Sequence, residues 1–118
     1  MKLLIVEDNA GMRRLIKSVV FDLADEVVEC EDGADALRAY TKFHPDWVLM
    51  DIKMPKMDGL TATLTIKNAF PEAKICIVTD YGDQKTVNAA FEAGAKGYIL
   101  KENLYSIREI LLANNPGF

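Results

Sequence analysis

Five times along the chain, an apolar run of strand length gives way to apolar residues at helical spacing. This alternation limits the possible folds more than any other feature. "KLLIV" (2–6) is followed by Met12, Leu15, Ile16, Val19 and Leu23; "EVVEC" (26–30) is followed by Ala36, Leu37, Tyr40 and Phe43, with Pro45 closing the segment. "DWVLM" (46–50) precedes a helix expected from Leu60 to Phe70 and ended by Pro71. "AKICIV" (73–78) precedes one capped by Asp83, with Val87, Ala90 and Phe91 inward and Gly94 as its stop. "KGYIL" (96–100) leads into a stripe of Leu104, Ile107 and Leu111. Strands apolar along their whole length imply a parallel sheet covered on both faces, and right-handed crossovers then give a doubly wound α/β layer.

Five such units in 118 residues leave only short connections, so residues 1–118 read as a single domain. The last five residues, "NNPGF" (114–118), read as the start of a linker to a C-terminal part outside this chain. Half the residues are hydrophobic, enough for a core without disulfides. Cys30 and Cys76 lie in separate apolar runs with no CxxC or Cys/His cluster, and are expected as reduced thiols. His44 beside Pro45 is expected at the surface, closing a helix. Fourteen cations against 18 acids, a net charge of −4, argue against nucleic-acid binding by this segment. No apolar run approaches the roughly 20 residues of a membrane helix, and "MKLLIVEDN" turns acidic too early for a secretory signal. A cytoplasmic location, with no membrane role, is therefore expected.

In an open parallel sheet, ligands bind beyond the carboxyl ends of the strands. Glu7 and Asp8 end the first strand, Asp51 the third, Thr79 and Asp80 the fourth, and Lys101 the fifth. Like charges about 4 Å apart at an effective dielectric near 20 cost about 4 kcal/mol per pair, so this rim needs a lysine and a cation to neutralise it. Oxygen ligands without His or Cys favour Mg²⁺. A carboxylate can also be the nucleophile toward a phosphoryl group, given in-line placement and cationic groups around the equatorial oxygens. Asp51, on the central strand, is the candidate.

"LLIVEDN", "VLMDIKMPKMDG", "IVTDYGD" and "AGAKGYILK" together resemble the receiver domain of two-component response regulators, over essentially the whole chain. The resemblance implies a flavodoxin-like sheet of order 2-1-3-4-5. It also implies a sensor histidine kinase as phosphodonor, and Asp51 as phosphoacceptor. Glu7, Asp8, Asp51 and the backbone carbonyl of Lys53 would hold Mg²⁺. Lys101 would pair with the phosphoryl oxygens, Thr79 would move to hydrogen-bond them, and Tyr98 would rotate inward. The face of helix 4, strand 5 and helix 5 would change its partners. Homodimers through that face, or through helices 1 and 5, are both open. "TDYGD" and "GYILKE" look most like receivers that precede a helix-turn-helix transcription domain.

Asp80, where many receivers have a small residue, and Glu102, where many have a cis-proline, depart from the pattern. A cis bond before a non-proline costs ~2.5–4 kcal/mol, so Lys101–Glu102 is expected trans. In the strand order above, three strand spacings separate Cys30 from Cys76, roughly 14 Å, which excludes a disulfide between them. Taken one at a time, Glu7 and Asp8 could cap a helix, Asp51 could begin an Asx-turn, Lys101 could be solvated, and Tyr98 could be a half-buried strand aromatic. Three rivals to a phosphorylation switch stand. A phosphohydrolase would want an acid where Lys53 stands, and a flavin module a phosphate cradle where "EDNAG" stands. The third is a phosphorylation-independent interaction module.

Overall fold

In the computed structural model, which describes residues 1–113, every apolar run pairs in one parallel sheet of order β2-β1-β3-β4-β5. The strands are β1 (Lys2–Val6), β2 (Glu26–Cys30), β3 (Trp47–Met50), β4 (Ile75–Thr79) and β5 (Gly97–Leu100). The helices between and after them are α1 (Ala10–Val20), α2 (Ala36–Phe43), α3 (Gly59–Ala69), α4 (Gln84–Glu92) and α5 (Ile107–Ala113). Short 3-10 turns at Gly33–Asp35 and Lys101–Ser106 lead into α2 and α5. The expected architecture and strand order are therefore those observed. The expected linker at 114–118 lies outside the described residues.

Strand alternation splits the core into two layers. Leu4, Val6, Val48, Met50, Ile75 and Ile77 face α2, α3 and α4, where Tyr40, Ala62, Ile66 and Ala90 meet them. Leu3, Ile5, Trp47, Leu49, Cys76, Val78 and Ile99 face α1 and α5, against Ile16, Val20, Ile107 and Leu111. Side-chain carboxylates at three N-caps accept from the first turn: Asp32 from Ala34 N–H, Asp58 from Thr61 N–H and Asp83 from Thr86 N–H. His44 closes α2 in the left-handed conformation at φ 49°, its N–H donating to Tyr40 O at 2.8 Å.

Two residues expected inward are not. Leu15 is about half exposed, because the buried stripe of α1 runs through Ile16 and Val20. Phe91 is equally exposed; Ala90 anchors α4 to the sheet, and Phe91 turns to the Tyr98 ring, centroids 6.4 Å apart. Leu104 packs in the core as expected, but from the 3-10 turn, since Asn103 at φ −119°, ψ 37° breaks the helix before Ile107. Cys30 and Cys76 are free and buried, and burial pushes their thiols up to about 11 and about 12, with Asp35 adding to the effect at Cys30. They are inert at neutral pH. No cis peptide occurs among the described residues, so Lys101–Glu102 is trans as expected.

Candidate functional site

The sheet ladder brings the acids together. Val6 pairs with Met50 across β1 and β3, and the next residues continue the pairing: Asp51 N–H donates to Val6 O at 2.9 Å, and Glu7 N–H to Cys30 O at 3.0 Å. Glu7 and Asp51 thus leave neighbouring strand ends side by side. Lys101 follows β5 on the same alternation as Ile99, on the α1–α5 side. Its Nζ lies 2.8 Å from Glu7 Oε1 and 3.4 Å from Asp51 Oδ1. The Glu7 contact is an ion pair rather than a directed hydrogen bond, and Oε1 has no other donor among the described residues. Burial works against the Lys101 charge, but the contact with Glu7 and the charges of Asp51, Glu7 and Asp80 outweigh it and hold the ammonium above its ordinary range.

Asp8 completes the cluster from the surface. One oxygen from each of Glu7, Asp8 and Asp51 lies within 4.8 Å of the others. Hydrogen bonding to Glu7, partial burial and the Glu7 charge, in that order, raise the Asp8 carboxyl above the usual carboxylate range. Three carboxylates against one ammonium leave two negative charges uncompensated, and all the ligands are hard oxygens. Such a donor set fits a divalent cation of the Mg²⁺ type. The turn bearing Glu7 and Asp8 is held by Arg13, whose Nη1 donates to their carbonyls at 2.8 and 3.3 Å. Asn9 caps α1 by accepting from Met12 N–H at 2.9 Å.

Asp51 is divided in use. Its Oδ1 accepts from Ile52 N–H at 2.8 Å and faces Lys101, whereas Oδ2 accepts no hydrogen bond among the described residues. The carbonyl of Lys53 is likewise unclaimed there, and its ammonium sits 5.1 Å from the Tyr81 ring centre. Thr79 is fully buried; its hydroxyl accepts from Tyr81 N–H at 3.3 Å and makes no hydrogen bond to Asp51 or Lys101. The Tyr98 hydroxyl donates to Tyr81 O. The structure therefore gathers Glu7, Asp8, Asp51 and Lys101, while Thr79 and Tyr98 are joined to each other, outside that cluster, through Tyr81.

Sequence reasoning missed two members of this neighbourhood. Tyr81 joins Thr79, Tyr98 and Lys53, and its only sequence signal is an aromatic residue in a loop. Asp32 holds the loop after Asp51 by its backbone, and its signal is the turn dipeptide Asp32–Gly33 after β2. Gly59 matters for a third reason: a Cβ there would lie 1.8 Å from Asp51 O. We expect Gly59→Ala to cost about 1–3 kcal/mol in urea unfolding, because backbone rather than a movable side chain must yield. An unchanged midpoint would show that the loop accommodates the methyl group.

A flavodoxin-like sheet whose strand ends gather three carboxylates around one lysine defines a class of phosphate-signalling domain. The profile of the response regulator receiver domain matches residues 3–112, and the chain belongs to that family. It is 45% identical to the chemotaxis protein CheY of Bacillus subtilis over 101 residues, 85% of this chain and 84% of that one. It is 40% identical to the transcriptional regulatory protein YhcZ of the same organism, covering 86% of this chain and 49% of the relative. Among solved structures, a two-component response regulator of the LuxR family from Aurantimonas sp. SI85-9A1 superposes with a TM-score of 0.85 at 30% identity, over 97% of this chain and 86% of that one. The family is one of signalling switches rather than turnover enzymes. No helix among the described residues is long and apolar enough to cross a membrane.

Proposed function

We propose that this receiver accepts a phosphoryl group on Asp51 from a sensor histidine kinase, with Mg²⁺ held by Glu7, Asp8, Asp51 and the Lys53 carbonyl. The observation that carries the reading is the division of Asp51, with Oδ1 tethered by Ile52 N–H and Lys101 and Oδ2 left free. In the transfer, Oδ2 attacks phosphorus in line, the phosphorus–nitrogen bond of the donor phosphohistidine breaks, and the imidazole takes the electron pair and then a proton. The Mg²⁺ that these residues would hold would supply positive charge to the equatorial oxygens. Lys101, already poised beside Asp51, adds its ammonium to the same task.

The switch follows from what Thr79 and Tyr98 give up. The Thr79 hydroxyl accepts only a long bond from Tyr81 N–H, so its own proton is uncommitted and can turn to a phosphoryl oxygen. That movement frees space for Tyr98, whose hydroxyl leaves the Tyr81 carbonyl as the ring rotates inward. A charge added at one rim thereby biases the packing of the α4–β5–α5 face. Homodimers through this face or through α1 and α5 fit the reading equally. An effector domain beyond residue 118, acting in transcription, fits the length of the transcriptional relative, of which this chain spans about half. The two free, inert thiols suit a reducing, cytoplasmic setting.

Incubation with Mg²⁺ and acetyl phosphate, followed by intact mass, separates the readings. A single stoichiometric adduct supports the switch. Repeated turnover of varied phosphate esters instead supports a hydrolase, and no adduct with any donor supports a phosphorylation-independent module. Asp80 gives a second handle, being exposed and acting on Lys101 through its charge. Removing a negative charge beside the entry path favours an anionic donor, so Asp80→Asn should accept phosphate about 2–10-fold faster at low salt, with the gain shrinking at high salt. An unchanged or salt-independent rate in the mass time course would show that Asp80 points away from the donor's path.

A further inference from the structure

The loop that follows Asp51 is closed at its base by Gly59 N–H donating to Ile52 O at 2.7 Å. Its middle is held from a different strand. Asp32, just past the end of β2, is nearly buried, and its Oδ1 accepts from Met57 N–H and Ala34 N–H, each at 2.9 Å. Its Oδ2 accepts from Lys56 N–H at 2.9 Å. Burial alone would raise this carboxyl, but the three backbone donors and the Lys56 charge hold it below the usual range. The next residue must be small: a Cβ on Gly33 would lie 2.5 Å from Met57 O and 3.1 Å from Asp58 O. The clamp also shares a cleft of about 340 Å³ with Asp8, Pro55 and Lys56.

From this we infer that Asp32 is a positioning residue for phosphoryl transfer: its carboxylate sets the path of the 52–58 loop, and through it the placement of the Lys53 carbonyl beside Asp51. The inference rests on the function proposed above. The hydrogen bonds of Asp32 all run to backbone amides, two of them in the loop, and none to Asp51, Glu7 or Asp8, so the loop is the route by which it acts. Besides capping its own turn, it bonds to backbone donors in a segment 24 and 25 residues away, which makes it a link between two strand ends as well as a local cap. Groups that orient metal ligands from outside typically change affinity 10–100-fold when removed.

The test compares wild type with Asp32→Ala, Asp32→Asn and, as a control for lost stability, Asp22→Ala, which removes the Arg108 pair far from the rim. Mg²⁺ is titrated by calorimetry into each unphosphorylated protein, and amide exchange is followed at Lys56 and Met57. Asp32→Ala is expected to weaken Mg²⁺ binding about 10–100-fold and to speed exchange at both amides. Asp32→Asn keeps an oxygen for Met57 and Ala34 but turns an amide group toward Lys56 N–H, so its Mg²⁺ affinity should fall between the two. Asp22→Ala should match wild type. Should Asp32→Ala not fold, the Asp32→Asn titration alone decides. Equal Mg²⁺ affinity in wild type and the folded Asp32 variants overturns the positioning role while leaving the proposed function standing, provided wild type still forms its acetyl phosphate adduct. A wild type that binds no Mg²⁺ and takes no phosphoryl group overturns both.

Discussion

Lys101→Met destabilises the folded chain by about 3–5 kcal/mol at neutral pH, and Mg²⁺ recovers much of that loss. Both effects follow from burial. The Glu7 side chain is 1% exposed, that of Asp51 8% and that of Lys101 13%, so the three charges are largely withdrawn from water. Removing one partner of a buried pair leaves an uncompensated charge, which costs far more than the pair contributes when intact. Met keeps most of the stem's volume, so the deficit measures charge rather than a cavity. A cation held by the same carboxylates restores compensation, and binding at 100 times Kd adds about 2.7 kcal/mol.

The pH dependence carries a sign. The folded protein holds the Lys101 ammonium above its ordinary range, so its stabilisation is complete below the unfolded value near ~10.4 and is lost only as pH rises through the higher folded value. The gap between wild type and variant should therefore be flat over roughly pH 6 to 9. Urea unfolding with and without Mg²⁺ checks both points. A deficit under about 1 kcal/mol that ignores Mg²⁺ would mean the carboxylates are solvated, as at a surface pair.

How far the sequence alone reached depended on whether the information was periodic. The strands were readable because "LLIV", "WVLM" and "ICIV" are apolar at every position, which only a sheet covered on both faces demands, whereas their order was read through the family resemblance. Glu7, Asp51 and Lys101 were readable for the same reason, each being the first charge after such a run. Helix faces were less so: Leu15 and Ile16 both satisfy a helical stripe, and only the angle at which α1 lies on the sheet decides that Ile16 is buried and Leu15 is half exposed. Phe91 and Ala90 pose the same ambiguity on α4. The non-helical backbone at Asn103 has no periodic signature at all. Least visible was the Asp32 clamp, since a carboxylate bonded to amides 24 residues away shows nothing in either period. Thr79 was readable as a strand-end hydroxyl, but its switching role, and Tyr98 altogether, were named through family resemblance. Their link through Tyr81 exists only in three dimensions.

Asp51→Asn is expected to remove phosphorylation altogether, because an amide oxygen cannot serve as the nucleophile and the neighbouring acids are committed elsewhere. Glu7 is tied to Lys101 and to Asn9 N–H at 3.3 Å, and Asp8 stands at the exposed edge of the cluster, with no ion pair to Lys101. The most direct measurement is borohydride reduction of the protein after exposure to acetyl phosphate and Mg²⁺, followed by peptide mapping. An acyl phosphate at Asp51 is reduced to homoserine, so the account predicts homoserine at position 51 and nowhere else, absent when Mg²⁺ is withheld. Homoserine at another carboxylate, or an adduct that persists in Asp51→Asn, would contradict it.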